Sequence, residues 1–304
     1  MTTMTFPITD AAARARPWRI ERVWESDAAG PVGAIRGGEL PQPLRRRFGA
    51  HLEIPLRPDR PTVVANFVST IDGVVALDSD GRSGGGEISG GFEPDRFLMG
   101  LLRATADAVL VGAGTVRASR SQSWTPGRIH PASAAGYLAW RRQLGLVQPV
   151  PTTVIVSASG DLRVHQLGNA EPDAPIVVVT TQDGARRLRG FRPGARIEVV
   201  RIDEPRVSIQ TLLGLMAERG FRLVVSEAGP TLFGQLLAAR TVDELFVTVA
   251  PQMVGRSDQV NRLGLVEGVG FPPGVAPWAS LRTVMRSEDH LFLRYRLTDP
   301  KGPS

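Results

Sequence analysis

Five short segments restrict the folds open to this chain: TVVANFVS (Thr62–Ser69), DAVLVGAG (Asp107–Gly114), TTVIVSAS (Thr152–Ser159), APIVVVTTQ (Ala174–Gln182) and RLVVSEAG (Arg222–Gly229). Each is a run of apolar, largely β-branched residues, too short for a helix and without the polar alternation of a half-exposed strand. Such runs are strands buried on both faces. Helical patterns separate them. EPDRFLMGLLRATA carries Phe97, Leu98, Leu101 and Leu102 on one face, and AGYLAWRRQLGL, DGARRLRGF, SIQTLLGLMAERG and PTLFGQLLAAR follow in turn. With RIEVVRI and DELFVTVAP as further strands, the alternation predicts an α/β fold with a mostly parallel central sheet covered on both sides. The closing stretch ASLRTVMRSEDHLFLRYRL predicts an antiparallel hairpin at one edge.

Composition removes several chemistries. The chain has no cysteine, so disulfides, thiol nucleophiles and cysteine zinc sites are excluded. Its single lysine is Lys301, near the C-terminus, which leaves neither a P-loop lysine nor a Schiff-base lysine in the body. His51, His130, His165 and His290 are widely spaced, and no metal site is expected. The net charge of +6 (36 basic against 30 acidic residues) is spread along 304 residues. It suits anionic small ligands better than nucleic acid, which calls for a concentrated basic patch. No apolar run reaches the roughly 20 residues of a membrane span, and the N-terminus has no secretory pattern. A cytoplasmic protein is expected. Residues 1–60, rich in Arg and Pro, read as an N-terminal extension, a solvated arm over a main domain at 61–300. The Arg45-Arg46-Arg47 run within it offers a phosphate contact. The segment RASRSQSWTPGRIHPAS reads as a long loop.

In open α/β sheets ligands bind beyond the carboxyl ends of the strands, and two loops suit that place. In VLVGAGTVR the strand ends in Gly112 and Gly114, which allow close approach of a ligand, and Thr115 adds a hydroxyl; tight-turn glycines account for the pattern equally well. In SEAGPTLFGQLL the strand ends at Ser226-Glu227, Gly229 turns the chain, and Pro230 opens a helix whose free N–H groups suit a pyrophosphate. Glu227 places an acid beside that site.

TIDG, LLRATADAVLVGAGTVRA, SEAGPTLFGQLL and TVDELFVTVAPQMVG occur in an order that resembles the reductase domain of the bifunctional riboflavin-biosynthesis deaminase-reductase, over about residues 61–298. The resemblance implies a dihydrofolate-reductase-like three-layer sandwich, an NADPH-dependent oxidoreductase, a homodimer, and a phosphoribosylamino-pyrimidine as substrate, with the deaminase half lacking. It implies cofactor contacts from Gly112, Gly114, Thr115, Ser157, Ser159, Gly229, Pro230, Thr231, Leu232 and Phe233. It makes Glu227 the catalytic candidate and Arg103 a substrate-binding arginine, which the residues alone would equally allow as a surface arginine at a helix end.

Departures fall on the substrate side. The family's strand lysine is Asn66 here, its ribose-side aspartate is Ser119, and its GES-W-IT element is GGGEIS. Position parity puts Asn66 and Thr70 on one face of their strand, toward the same cleft. Asp72-Gly73 reads as a turn whose carboxylate bonds nearby backbone N–H groups. Dihydrofolate or another pterin is the alternative acceptor, and a non-catalytic NADPH-binding regulatory protein is the alternative of another class.

Overall fold

A computed structural model describes residues 18–27, 33–77, 85–119, 123–162, 174–189 and 196–298. Among the described residues ten strands form one sheet: β1 (Glu21–Glu25), β2 (Thr62–Thr70), β3 (Ala108–Gly112), β4 (Thr152–Ser157), β5 (Ile176–Thr181), β6 (Ile197–Ile202), β7 (Leu223–Ser226), β8 (Val242–Ala250), β9 (Trp278–Ser287) and β10 (His290–Thr298). Their order is β1-β9-β10-β8-β2-β7-β3-β4-β5-β6. Every neighbouring pair from β8 to β6 is parallel. β10, β9 and β1 continue the sheet antiparallel. The sequence expectation of a mostly parallel sheet with a C-terminal antiparallel hairpin is met.

Five helices matter for the site: α1 (Glu93–Thr105), α2 (Ala113–Ala118), α3 (Ala134–Gln143), α4 (Ile209–Glu218) and α5 (Pro230–Ala238). Alternation along the strands sends side chains to two layers. Val64 and Val225 pack with Leu101, Leu102 and Trp140 of α1 and α3. Val63, Ala65 and Val224 pack with Leu212 and Met216 of α4 and Leu236 of α5. The long loop is more ordered than its composition suggests. Of its described part, Pro126–Ile129 and Pro131–Ser133 are short helices, and Trp124, Thr125 and His130 are buried. His130 hydrogen-bonds Glu93 at 3.0 Å and lies edge-on to Trp18 and Phe97.

The described part of the first sixty residues is not a solvated arm. β1 extends the main sheet, Ile35–Gly38 pairs with Leu52–Pro55, and Ile20, Leu44, Phe48 and Ile54 are buried in the core that holds α1. A Cβ on Gly136 of α3 would lie 2.9 Å from Leu44, so the glycine lets the segment dock closely. The arginine run is engaged structurally: Arg45 pairs with Glu39, and Arg47 lies 4.2 Å over the Trp18 ring.

Buried charges hold the amino ends of the strands. Asp107, before β3, accepts from Arg36 at 2.6 Å and from the Arg222 and Leu223 N–H groups. Asp243 of β8 accepts from Arg57, Arg60 and the Val63 N–H. Arg141 donates to the Ala104 and Ala106 carbonyls at the end of α1, and burial pulls its pKa down to about 10 against the opposing Asp107 charge. With these groups spent on structure, the carboxyl ends are left for ligands. Replacing the fully buried Leu44 by alanine should lower unfolding free energy by about 2–4 kcal/mol in urea titration. An arm lying in solvent would give a change within about 0.5 kcal/mol.

Candidate active site

Two glycine loops meet at the carboxyl ends of β3 and β7. Gly112 caps α2 and Gly229 caps α5. A Cβ on Gly112 would sit 3.7 Å from Leu232, and one on Gly229 would sit 3.4 Å from the Thr115 hydroxyl. Neither glycine has a positive φ (−91° and −64°), and a Cβ on Gly114 would touch nothing within 4 Å. Thus neither backbone conformation nor packing demands these glycines. What they leave is open backbone, the surface a phosphate-bearing ligand approaches. No side chain caps α5, and with Pro230 at its first position the Thr231 and Leu232 N–H groups face outward from the first turn. The donor set fits the dinucleotide end of a nicotinamide cofactor.

The other cofactor candidates separate. Ser157, at the end of the neighbouring β4, has a buried hydroxyl with no hydrogen-bond partner, which suits a ligand contact. Ser159 is exposed and accepts from the Asp161 N–H. Phe233 points away: it is buried against Phe67, with ring centroids 4.8 Å apart.

On the substrate side, the structure joins two residues that the sequence named separately. Arg103 is 4% exposed and is no surface arginine. Its Nε and Nη2 donate to the two carboxylate oxygens of Glu227, each at 2.7 Å, and Nη1 donates to the Thr125 carbonyl at 3.2 Å. The bidentate pair ties α1 to the end of β7. Asn66 faces the same layer as Val64 and Val68, beneath α1, with β8 beside it through Phe246. Among the described residues no hydrogen bond engages its amide. Thr70 does not share that role: its hydroxyl donates to Asp72 at 2.6 Å and accepts the Val74 N–H. Asp72 makes the turn expected of it, accepting from the Val254 and Gly255 N–H groups. The Thr70 hydroxyl bond is the largest cause holding its pKa below the ordinary value. Ser119 closes α2, its N–H donating to Thr115.

Sequence reasoning missed a second acid. Asp95, in the first turn of α1, is 5% exposed. Burial pushes its pKa up to about 6; the Glu227 charge adds to the rise, and the Thr248 and Ser89 side chains oppose it. The buried Thr248 hydroxyl makes no hydrogen bond of ordinary geometry, although it lies close enough to favour the anion. An acid in a first helical turn ordinarily marks the helix dipole, so the sequence carried no signal for this role.

A mostly parallel sheet with two glycine loops at its carboxyl ends, beside the largely buried acids Glu227 and Asp95, fits a nucleotide-dependent oxidoreductase. The chain belongs to the family described as the RibD C-terminal domain, whose sequence model matches residues 61–278. It is 30% identical over 213 residues to a 2,5-diamino-6-ribosylamino-4(3H)-pyrimidinone 5′-phosphate reductase of Methanothermobacter thermautotrophicus, covering 70% of this chain and 86% of the relative. A reductase of the same description from Archaeoglobus fulgidus is 28% identical over 199 residues, 66% of this chain and 84% of the relative. Among solved structures, a pyrimidine reductase-like protein of Corynebacterium diphtheriae shares the fold with a TM-score of 0.59 at 22% identity, covering 78% of this chain and 92% of that one.

Glu227→Ala would leave the Arg103 charge buried and unpaired. Chemical denaturation should show a loss of about 3–5 kcal/mol, largely recovered in an Arg103→Met/Glu227→Leu double variant. A single variant with wild-type stability would contradict a buried pair.

Proposed function

We propose that this protein is an NADPH-dependent reductase of a phosphoribosylamino-pyrimidine, the riboflavin-pathway step that converts the ribosyl group to ribityl. The observation that carries the reading is the placement of the glycine cradle beside the Arg103–Glu227 pair, in a chain of the RibD C-terminal domain family. The Archaeoglobus and Methanothermobacter relatives, which align over most of their length, are named as reductases of a ribosylamino-pyrimidinone 5′-phosphate.

In the reaction the ribosylamine opens to an imine at C1′, which accepts a hydride at carbon and a proton at nitrogen. A cofactor held at the glycine loops, NADPH in this reading, would supply the hydride. The chain's own residues position and polarise the acceptor. Gly112, Gly114, Gly229 and the Thr231 and Leu232 N–H groups hold the dinucleotide, with Thr115 and Ser157 adding hydroxyls. Arg103 is better read as a positioning residue than as a free phosphate ligand, because Glu227 occupies two of its donors. It orients the Glu227 carboxylate, which accepts substrate N–H groups and relays a proton. Asn66 supplies a neutral donor and acceptor where the family has a cation.

The reading includes a homodimer. On the sheet face opposite α1, alternation along β8, β9 and β10 lines up Val247, Leu281, Val284, Leu293 and Tyr295 beside the half-exposed Trp24 of β1. These side chains are only partly buried, and a second copy would cover them. The reading keeps 61–300 as the reductase domain, with every candidate site residue in it, and takes 1–60 as an N-terminal extension whose described part packs into that domain's core; it assigns the enzyme to the cytoplasm.

NADPH oxidation followed side by side with the ribosylamino-pyrimidine phosphate and with dihydrofolate tests the reading. Turnover of the first, lowered at least tenfold in Glu227→Gln, is expected. Turnover of dihydrofolate alone would sink the riboflavin role, and an unimpaired variant would remove Glu227 from the mechanism.

A further inference from the structure

We infer that Asp95 reads the 2-amino edge of the pyrimidine, so that this enzyme prefers the 2-aminopyrimidinone form of the substrate to the corresponding uracil. The inference rests on the proposed function, and the experiment below separates the two.

The distribution of charge in the core carries the argument. Asp107, Asp243, Glu244 and Glu227 are acids with little exposed side chain, and each is paired with arginine: Arg36, Arg60, Arg294 and Arg103 respectively. Asp95 is as buried as these, yet among the described residues no arginine or histidine pairs with it. Its surroundings supply two hydroxyls, from Ser89 and Thr248, and a second acid, Glu227. The Thr248 hydroxyl has no ordinary hydrogen bond of its own. A buried carboxylate without a counter-charge is unfavourable by itself, so the arrangement is completed by a ligand that brings hydrogen-bond donors.

The position is right for that ligand. Asp95 projects from the first turn of α1, the helix whose last turn carries Arg103, and Thr248 lies near the carboxyl end of β8, next to Val68 of β2. Asp95, Thr248, Asn66 and Glu227 therefore share one layer: Thr248 lies near the carboxyl end of β8, Glu227 just beyond that of β7, and Asn66 in mid-β2 level with Glu227, the side assigned above to substrate.

Donor geometry then selects between the two pyrimidines. A carboxylate has two acceptor oxygens and, when ionised, no donor. A 2-aminopyrimidinone presents its ring N–H and its amino N–H side by side, a pattern that a carboxylate accepts in a bidentate manner. At the same edge a uracil ring presents its N3–H between two carbonyls, so one carboxylate oxygen would face a carbonyl oxygen. A site built around polar groups rejects a ligand that leaves them unpaired by large factors. An asparagine at the same place would offer one acceptor and one donor, which matches the uracil edge.

The test compares wild type with Asp95→Asn on the 2-aminopyrimidinone and uracil forms of the ribosylamino phosphate. Both proteins are also titrated, with NADPH present, against isocytosine and uracil by ligand-observed NMR. Wild type should favour the amino form by about 100-fold in kcat/KM, mostly through KM. The variant should reduce that ratio at least tenfold or reverse it, with a melting temperature equal to or above that of wild type. A ratio unchanged in the variant, or a wild type that prefers uracil, would overturn the inference. So would an equal loss on both substrates with a lowered melting temperature, the mark of a merely structural aspartate. If wild type reduces neither substrate, the functional reading fails. The titration still decides Asp95: a preference for isocytosine that Asp95→Asn abolishes supports its role, and equal binding of both rings refutes it.

Discussion

The bidentate bond between Arg103 and Glu227 is the interaction on which the rest of the site depends. Its partners lie 124 residues apart in sequence, one in the last turn of α1 and the other just beyond β7, and both side chains are nearly out of solvent. Two charges in that setting are tolerable only together. The pair therefore fixes where α1 crosses the sheet, and with it the position of Asp95 two turns earlier on the same helix. It also neutralises one of two neighbouring acids, which leaves Asp95 as the one without a cationic partner among the described residues.

The fold separates structural from ligand-facing charge by strand direction. At the amino ends, Asp107, Asp243 and Arg141 are each satisfied by several protein groups. At the carboxyl ends, satisfaction is incomplete: the Ser157 and Thr248 hydroxyls are buried without partners, and three loop glycines leave open backbone. Buried polar groups in a folded protein are normally paired. Their unpaired state on one side of the sheet marks the side where cofactor and substrate would complete them.

The sequence made the architecture readable because buried parallel strands and amphipathic helices follow strict local periodicities. The two glycine loops and Glu227 could be singled out as candidates for a related reason, since each sits at a junction between strand and helix. Three features were not readable. The N-terminal pieces enter the core in segments of four or five residues, too short for any period to show, and their arginines pair with residues that only the fold brings near. The residues alone left Arg103 equally open to being a surface arginine, and its bond to Glu227 could not be seen, because that partner is remote in sequence. Thr70 and Phe233 shared a face or a motif with candidate positions, but a turn and an aromatic contact had already engaged them. Such competition is decided by tertiary structure and cannot be seen in position parity.

The proposed reaction requires a hydride to pass from NADPH to the sugar carbon of a pyrimidine held beneath α1. A single turnover with NADPH carrying deuterium at the transferable C4 position addresses it most directly. The account predicts one deuterium at C1′ of the ribitylamino product, found by mass spectrometry and NMR. A ribityl product without deuterium, or cofactor oxidation with no change in the sugar, would contradict it.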